Sequence, residues 1–143
     1  MSFRLLVVAK APIPGTVKTR LHLPPEDAAR LRAALIEDTV RKARALAPAT
    51  VTGVPPGRLH LIRNLLPNEV LLPQPEGDLE RKMLAGALAL FDRDPDPVLI
   101  VGTDAPTLPP QAIATAVNSL NTHDLSIVPS TDGGYVLLGL GGL

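Results

Sequence analysis

The chain has 143 residues, with 14 Lys and Arg against 14 Asp and Glu and no net formal charge at neutral pH. That length suits a single domain, residues 1–143, able to bury a full core. The charge balance favours neither nucleic acid nor an anionic membrane as a partner. There is no cysteine, which excludes disulfides, thiolate metal sites and cysteine nucleophiles. Two Phe and one Tyr are the only aromatic residues, so the core must be built from Leu, Val, Ile and Ala. No apolar run is long enough to span a bilayer, and the first residues lack the pattern of a signal peptide. A soluble cytoplasmic protein with no membrane partner is expected.

Phe3 to Ala9 is almost continuously apolar and predicts a buried strand. A basic Pro/Gly-shaped stretch follows, Ala9 to Leu21. From Pro25 the spacing of Ala28, Leu31, Leu35, Thr39, Ala43 and Leu46 predicts a long helix, stopped at Pro48. Thr50–Val54 predicts a second strand, Leu59–Leu66 fits a short helix or a strand with the helix preferred, and Glu69–Leu72 predicts a third strand. Asp78 can cap a helix whose stripe is Leu79, Met83, Ala87 and Phe91, supported by Leu84 and Leu88. Val98–Val101 is a fully apolar strand. Ile113, Ala116, Val117 and Leu120 mark the buried face of a helix that starts at Pro109-Pro110. Asp124–Val128 and Tyr135–Leu140 predict two last strands. Strands alternating with helices predict a three-layer α/β/α sandwich with a mostly parallel sheet.

In such sheets ligands sit beyond the carboxyl ends of the strands, so the segments that follow the strands are where chemistry is expected. The first segment brings together Lys10, Lys18 and Arg20 with no acid among them, and adds the hydroxyls of Thr16 and Thr19 and the backbone of Gly15. Fixed positive charge with N–H and O–H donors suits a diphosphate or triphosphate, although a short basic loop can also be a solvated surface. Neither the P-loop spacing nor the dinucleotide fingerprint is present. Asp104 follows the apolar strand Val98–Val101. It reads as a turn-former or as a ligand for Mg²⁺ or Mn²⁺ bridging to phosphates. Asp132-Gly133-Gly134 reads as a hairpin turn or as a wall against which a sugar or acceptor packs.

The stretch Lys-Ala-Pro-Ile-Pro-Gly-Thr-Val-Lys-Thr-Arg-Leu resembles the signature loop of the nucleotide-diphospho-sugar transferase superfamily. More narrowly, it is similar to the radical-SAM/selenodomain-associated transferase 1 family, which is glycosyltransferase-like. Gly-Thr-Asp-Ala-Pro-Thr-Leu from Gly102, Asp-Gly-Gly-Tyr from Asp132 and the Gln74–Met83 segment carry the likeness further. In the last of these, Glu80, Arg81 and Lys82 depart from the family's Gly, Glu and Arg. The resemblance implies a GT-A type fold. It also implies metal-dependent glycosyl transfer from a nucleotide-sugar to an unknown small-molecule acceptor. Nucleotidyl transfer with release of pyrophosphate, or nucleotide binding without turnover, are the alternatives.

The site residues it implies are Ala9, Lys10, Pro12, Gly15, Lys18, Thr19, Arg20 and Asp78 for the nucleotide and Asp104 for Mg²⁺ or Mn²⁺. Asp132, Gly133 and Gly134 would meet the sugar or acceptor, with Asp132 as the candidate base. Family members continue past the Gly-Leu that ends the last strand, so the resemblance also implies a domain short at its C-terminus. The nearly all-apolar Tyr135–Leu140 strand is then expected to leave surface that a second copy covers, giving a homo-oligomer.

Overall fold

The computed structural model describes residues 2–10, 24–54, 59–67, 70–73, 79–103, 109–130 and 135–142. In chain order the described elements are β1 (Arg4–Lys10), α1 (Pro25–Leu46), β2 (Ala49–Val54), α2 (Leu59–Leu65) and β3 (Val70–Pro73). They continue with α3 (Leu79–Phe91), β4 (Val98–Gly102), α4 (Pro110–Ser119), β5 (Leu125–Pro129) and β6 (Tyr135–Leu140). Every predicted strand and helix is present, within a residue or two of its expected bounds. The α1 helix begins with proline in its first turn, carries Glu26 and Asp27 there and Arg44 in its last turn, and gives way to β2 across Ala47-Pro48.

The six strands form one sheet in the order β3-β2-β1-β4-β6-β5. β1 pairs in parallel with β2 and β4, and β2 with β3. β6 runs antiparallel to both of its neighbours, so it is the single reversed strand. Alternation along the strands then sorts the core. Leu5, Val7, Ala9, Val51, Leu99, Val101 and Leu137 face one side, where α1, α2 and α4 pack. Leu6, Val98 and Ile100 face the other, where α3 supplies Met83, Ala87 and Leu90. α3 comes close enough that a Cβ on Gly86 would stand 2.8 Å from a Leu6 methyl.

Two helix stripes differ from expectation. The buried face of α1 is Ala28, Ala29, Ile36, Val40 and Ala43, while Leu31 is 36% exposed and Leu46 is also outside. On α3, Leu84 and Leu88 face outward and Leu90 is buried in their place. Both helices carry more Leu and Ala than one face can bury, so several stripes fit the spacing and packing against the sheet selects one.

The apolar surface expected at the last strand is also displaced. β6 is an interior strand and Leu137 on it is fully buried. The edge is β5, whose Leu125 and Ile127 pair across to Leu140 and Leu138 on the α3 side. They remain 49% and 52% exposed, because α3 packs on β1 and β4 and does not reach that far.

At the amino end of β1, Arg4 is a charge in an otherwise apolar run that ends at Ala9. Its guanidinium donates to the carbonyls of Leu90, Asp94 and Asp96, the latter two at 2.7 Å. It lies 5.7 Å from the centroid of the Phe91 ring. It therefore ties the end of α3 and the turn after it to the sheet. Among the described residues, no helix is long and apolar enough to cross a membrane.

Candidate functional site

The strand order reverses between β1 and β4, since β2 and β3 lie to one side of β1 and the later strands to the other. In open α/β sheets the crevice at such a switch point is where ligands bind, beyond the carboxyl ends of the strands. Here those ends are Lys10 on β1 and Gly102 on β4, with Val8 directly beside Gly102. Gly102 is exposed, and a Cβ there would meet nothing within 4 Å among the described residues. Val54, Pro73 and Pro129 end their strands at the same edge, and the reversed strand β6 begins there at Tyr135. Each motif singled out in the sequence thus adjoins a described residue at one edge of the sheet.

Of the nucleotide residues expected from the sequence, Ala9 is fully buried in β1 beside Gly53. Lys10 is the last residue of that strand, beside Val54. Pro12, Gly15, Lys18, Thr19 and Arg20 lie outside the described residues, as do Asp78, Asp104, Asp132, Gly133 and Gly134. Among the described residues there is no group of three His, Asp or Glu side chains that could hold a metal ion.

Two residues at this edge escaped the sequence reading. Thr103, the residue before Asp104, is only 3% exposed. Arg32 on α1 is half-buried, and its Nη1 lies 3.5 Å from the Thr103 hydroxyl oxygen, a long hydrogen bond. A signal for Arg32 was present. It falls four residues after Ala28 and four before Ile36, on the stripe that α1 buries.

A separate groove of about 490 Å³ runs between α4 and β5, lined by Gln111, Thr115, Ser119, His123 and Ile127 among others. It has no Lys or Arg in its lining, so it lacks the fixed charge that a phosphate group needs.

Comparison with known proteins gives a family and a fold. The family profile described as "Uncharacterized protein conserved in bacteria (DUF2064)" matches residues 35–142. No curated protein matches the chain. Among solved structures, a "putative nucleotide-diphospho-sugar transferase" from Desulfovibrio desulfuricans G20 is similar with a TM-score of 0.87 and 31% identity. That match covers 98% of this chain, which spans 64% of the length of that protein. The 4-diphosphocytidyl-2C-methyl-D-erythritol synthase of Anaerococcus prevotii DSM 20548 is similar at a TM-score of 0.63 and 13% identity, covering 97% of this chain and 70% of that one. This second likeness is one of fold. The architecture is that of the nucleotide-diphospho-sugar transferases, as expected from the sequence.

Proposed function

The chain belongs to the DUF2064 family, and from that starting point we propose that it is a transferase acting on a nucleotide-type substrate held at the β1–β4 switch point. The observation that carries this reading is the reversal of strand order between β1 and β4, beside the end of β1 where Lys10 begins the basic stretch. The Desulfovibrio protein, described as a "putative nucleotide-diphospho-sugar transferase", supports the substrate class. The narrower likeness to the radical-SAM/selenodomain-associated transferase 1 family rests on the sequence motifs alone.

In the finer reading the donor is a nucleotide-sugar and the reaction is glycosyl transfer. The bond between the anomeric carbon and the diphosphate oxygen breaks. The acceptor oxygen bonds to that carbon, and a nucleoside diphosphate leaves. Lys10, Lys18, Thr19 and Arg20 bind the phosphates, with the nucleotide further held by Ala9, Pro12, Gly15 and Asp78. Asp104 holds Mg²⁺ or Mn²⁺, which supplies positive charge against the charge developing on the leaving diphosphate. Asp132 takes the acceptor's proton, and Gly133 and Gly134 let backbone N–H groups approach the sugar. A cytoplasmic location and an assembly of two copies across the exposed β5 face belong to the same proposal.

Nucleotidyl transfer is the second reading, in which the loop cations neutralise a triphosphate and pyrophosphate leaves. One assay separates the two. Incubation with nucleotide-sugars, and separately with nucleoside triphosphates, in Mg²⁺ and with a mixture of sugar and sugar-phosphate acceptors, should release nucleoside diphosphate in the first case and pyrophosphate in the second. Nucleotide binding with no release in either would support a binding domain and contradict the transferase reading.

A further inference from the structure

Helix α1 buries one stripe against the sheet, and that stripe reads Ala28, Ala29, Ile36, Val40 and Ala43. Arg32 occupies the position between Ala29 and Ile36 where the spacing calls for another apolar side chain. A guanidinium at a core-facing position gives up apolar burial and part of its hydration. On most helices such a charge turns outward, yet Arg32 is half-buried and points one arm at the hydroxyl of Thr103. α1 begins at the same sheet edge where β1 ends, so Arg32, two turns in, lies near the switch point. Thr103 is itself buried on the α1 side, the side that Val101 faces two residues earlier. Thr103 is where the chain leaves β4 toward Asp104.

We propose that Arg32 is a positioning residue. Through Thr103 it fixes the direction in which the chain leaves β4, and through that the candidate nucleotide and metal site. This rests on the nucleotide-transferase reading given above. The planar fork of arginine, with five N–H donors in a fixed geometry, can hold Thr103 and another acceptor together, which the single ammonium of lysine does not reproduce. At 3.5 Å the contact is long, so the effect of losing it is modest.

The test uses the full chain with Arg32→Lys, Arg32→Gln, Thr103→Val and the Arg32→Gln/Thr103→Val double variant. Thr103→Val is nearly isosteric and keeps a folded reference if the Arg32 variants do not fold. Calorimetry with ADP, CDP, GDP and UDP in Mn²⁺ reads the site. Amide hydrogen exchange over residues 102–109, without nucleotide, reads how firmly the chain is held there. Arg32→Gln and Thr103→Val should each weaken binding about three- to tenfold, and the double variant should lose no more than the larger single loss. Arg32→Lys should not restore it. Exchange over 102–109 should quicken in all of them while the melting temperature stays close to the parent's. Parent-like affinity and exchange in Arg32→Gln and Thr103→Val overturn the proposal. So does full recovery in Arg32→Lys with Thr103→Val silent, which would make Arg32 a charge and nothing more. If the parent binds none of the nucleotides, the functional reading fails and the exchange data alone decide the role of Arg32.

Discussion

Arg4 and Lys10 stand at opposite ends of β1, and substitutions near them should separate stability from binding. Arg4 holds three backbone carbonyls at the amino edge of the sheet, away from the switch point. Arg4→Met leaves those acceptors without their charged donor and should cost about 2 kcal/mol of stability. Nucleotide affinity should be unchanged. Chemical denaturation with parallel calorimetry checks both halves, and a loss of affinity as large as the loss of stability would contradict the division. At the other end the signs reverse. Lys18→Ala and Arg20→Ala should each weaken nucleotide binding by about 1.5–3 kcal/mol, the range for hydrogen bonds to charged groups, with little change in melting temperature. Unchanged affinity in both would mean that the basic stretch is a solvated surface.

At the level of elements, β5 is the weak point of the architecture. Its sequence, Leu-Ser-Ile-Val-Pro, contains no charge, and charged side chains are one of the means by which edge strands resist pairing with other chains. Leu125 and Ile127 sit on the side where α3 is the only helix of the described residues. Ile127→Lys places a charge in the middle of that face. Sedimentation velocity over a range of concentrations should show self-association in the parent and its loss in the variant. A parent that stays monomeric throughout would remove the homo-oligomer from the account.

The elements themselves were legible in the sequence because their signals are local. Pro25 and Pro110 open helices, Pro48 closes one, and Val98–Val101 is apolar on both faces as a central strand must be. Periodicity carries less about facing where apolar residues crowd a helix, hence the displaced stripes at Leu31, Leu84 and Leu88. It carries nothing about neighbours, so the place of β6 inside the sheet beside β4 came only with the structure, while its reversal was open in the hairpin reading of Asp132-Gly133-Gly134. Arg32 was missed for a related reason. Beside Arg30 it looks like one more surface charge, and its role depends on Thr103, 71 residues away in the chain.

At the scale of the whole molecule, the topology brings the described residues that adjoin the separate motifs to one edge of the sheet. The parallel strands β1 to β5 end at one edge and the reversed β6 begins there. Lys10, Thr103, Ser130 and Tyr135 therefore mark a common border from which the basic, Gly-Thr-Asp and Asp-Gly-Gly-Tyr segments continue. The fold is shared with a Desulfovibrio protein at a TM-score of 0.87, and the chain spans 64% of that protein's length. What that edge does depends on whether it binds a nucleotide together with a divalent ion. The decisive comparison is calorimetric titration of nucleoside diphosphates into the parent and into Asp104→Asn, with and without Mn²⁺. Asparagine keeps the size and turn-forming ability of the residue and removes the charge that a metal ion needs. Parent affinity should rise with Mn²⁺, and Asp104→Asn should lose that increment while its melting temperature without metal stays close to the parent's. A metal-dependent gain that survives in Asp104→Asn would take Asp104 out of the site, and a parent that binds no nucleotide in either condition would contradict the account at its centre.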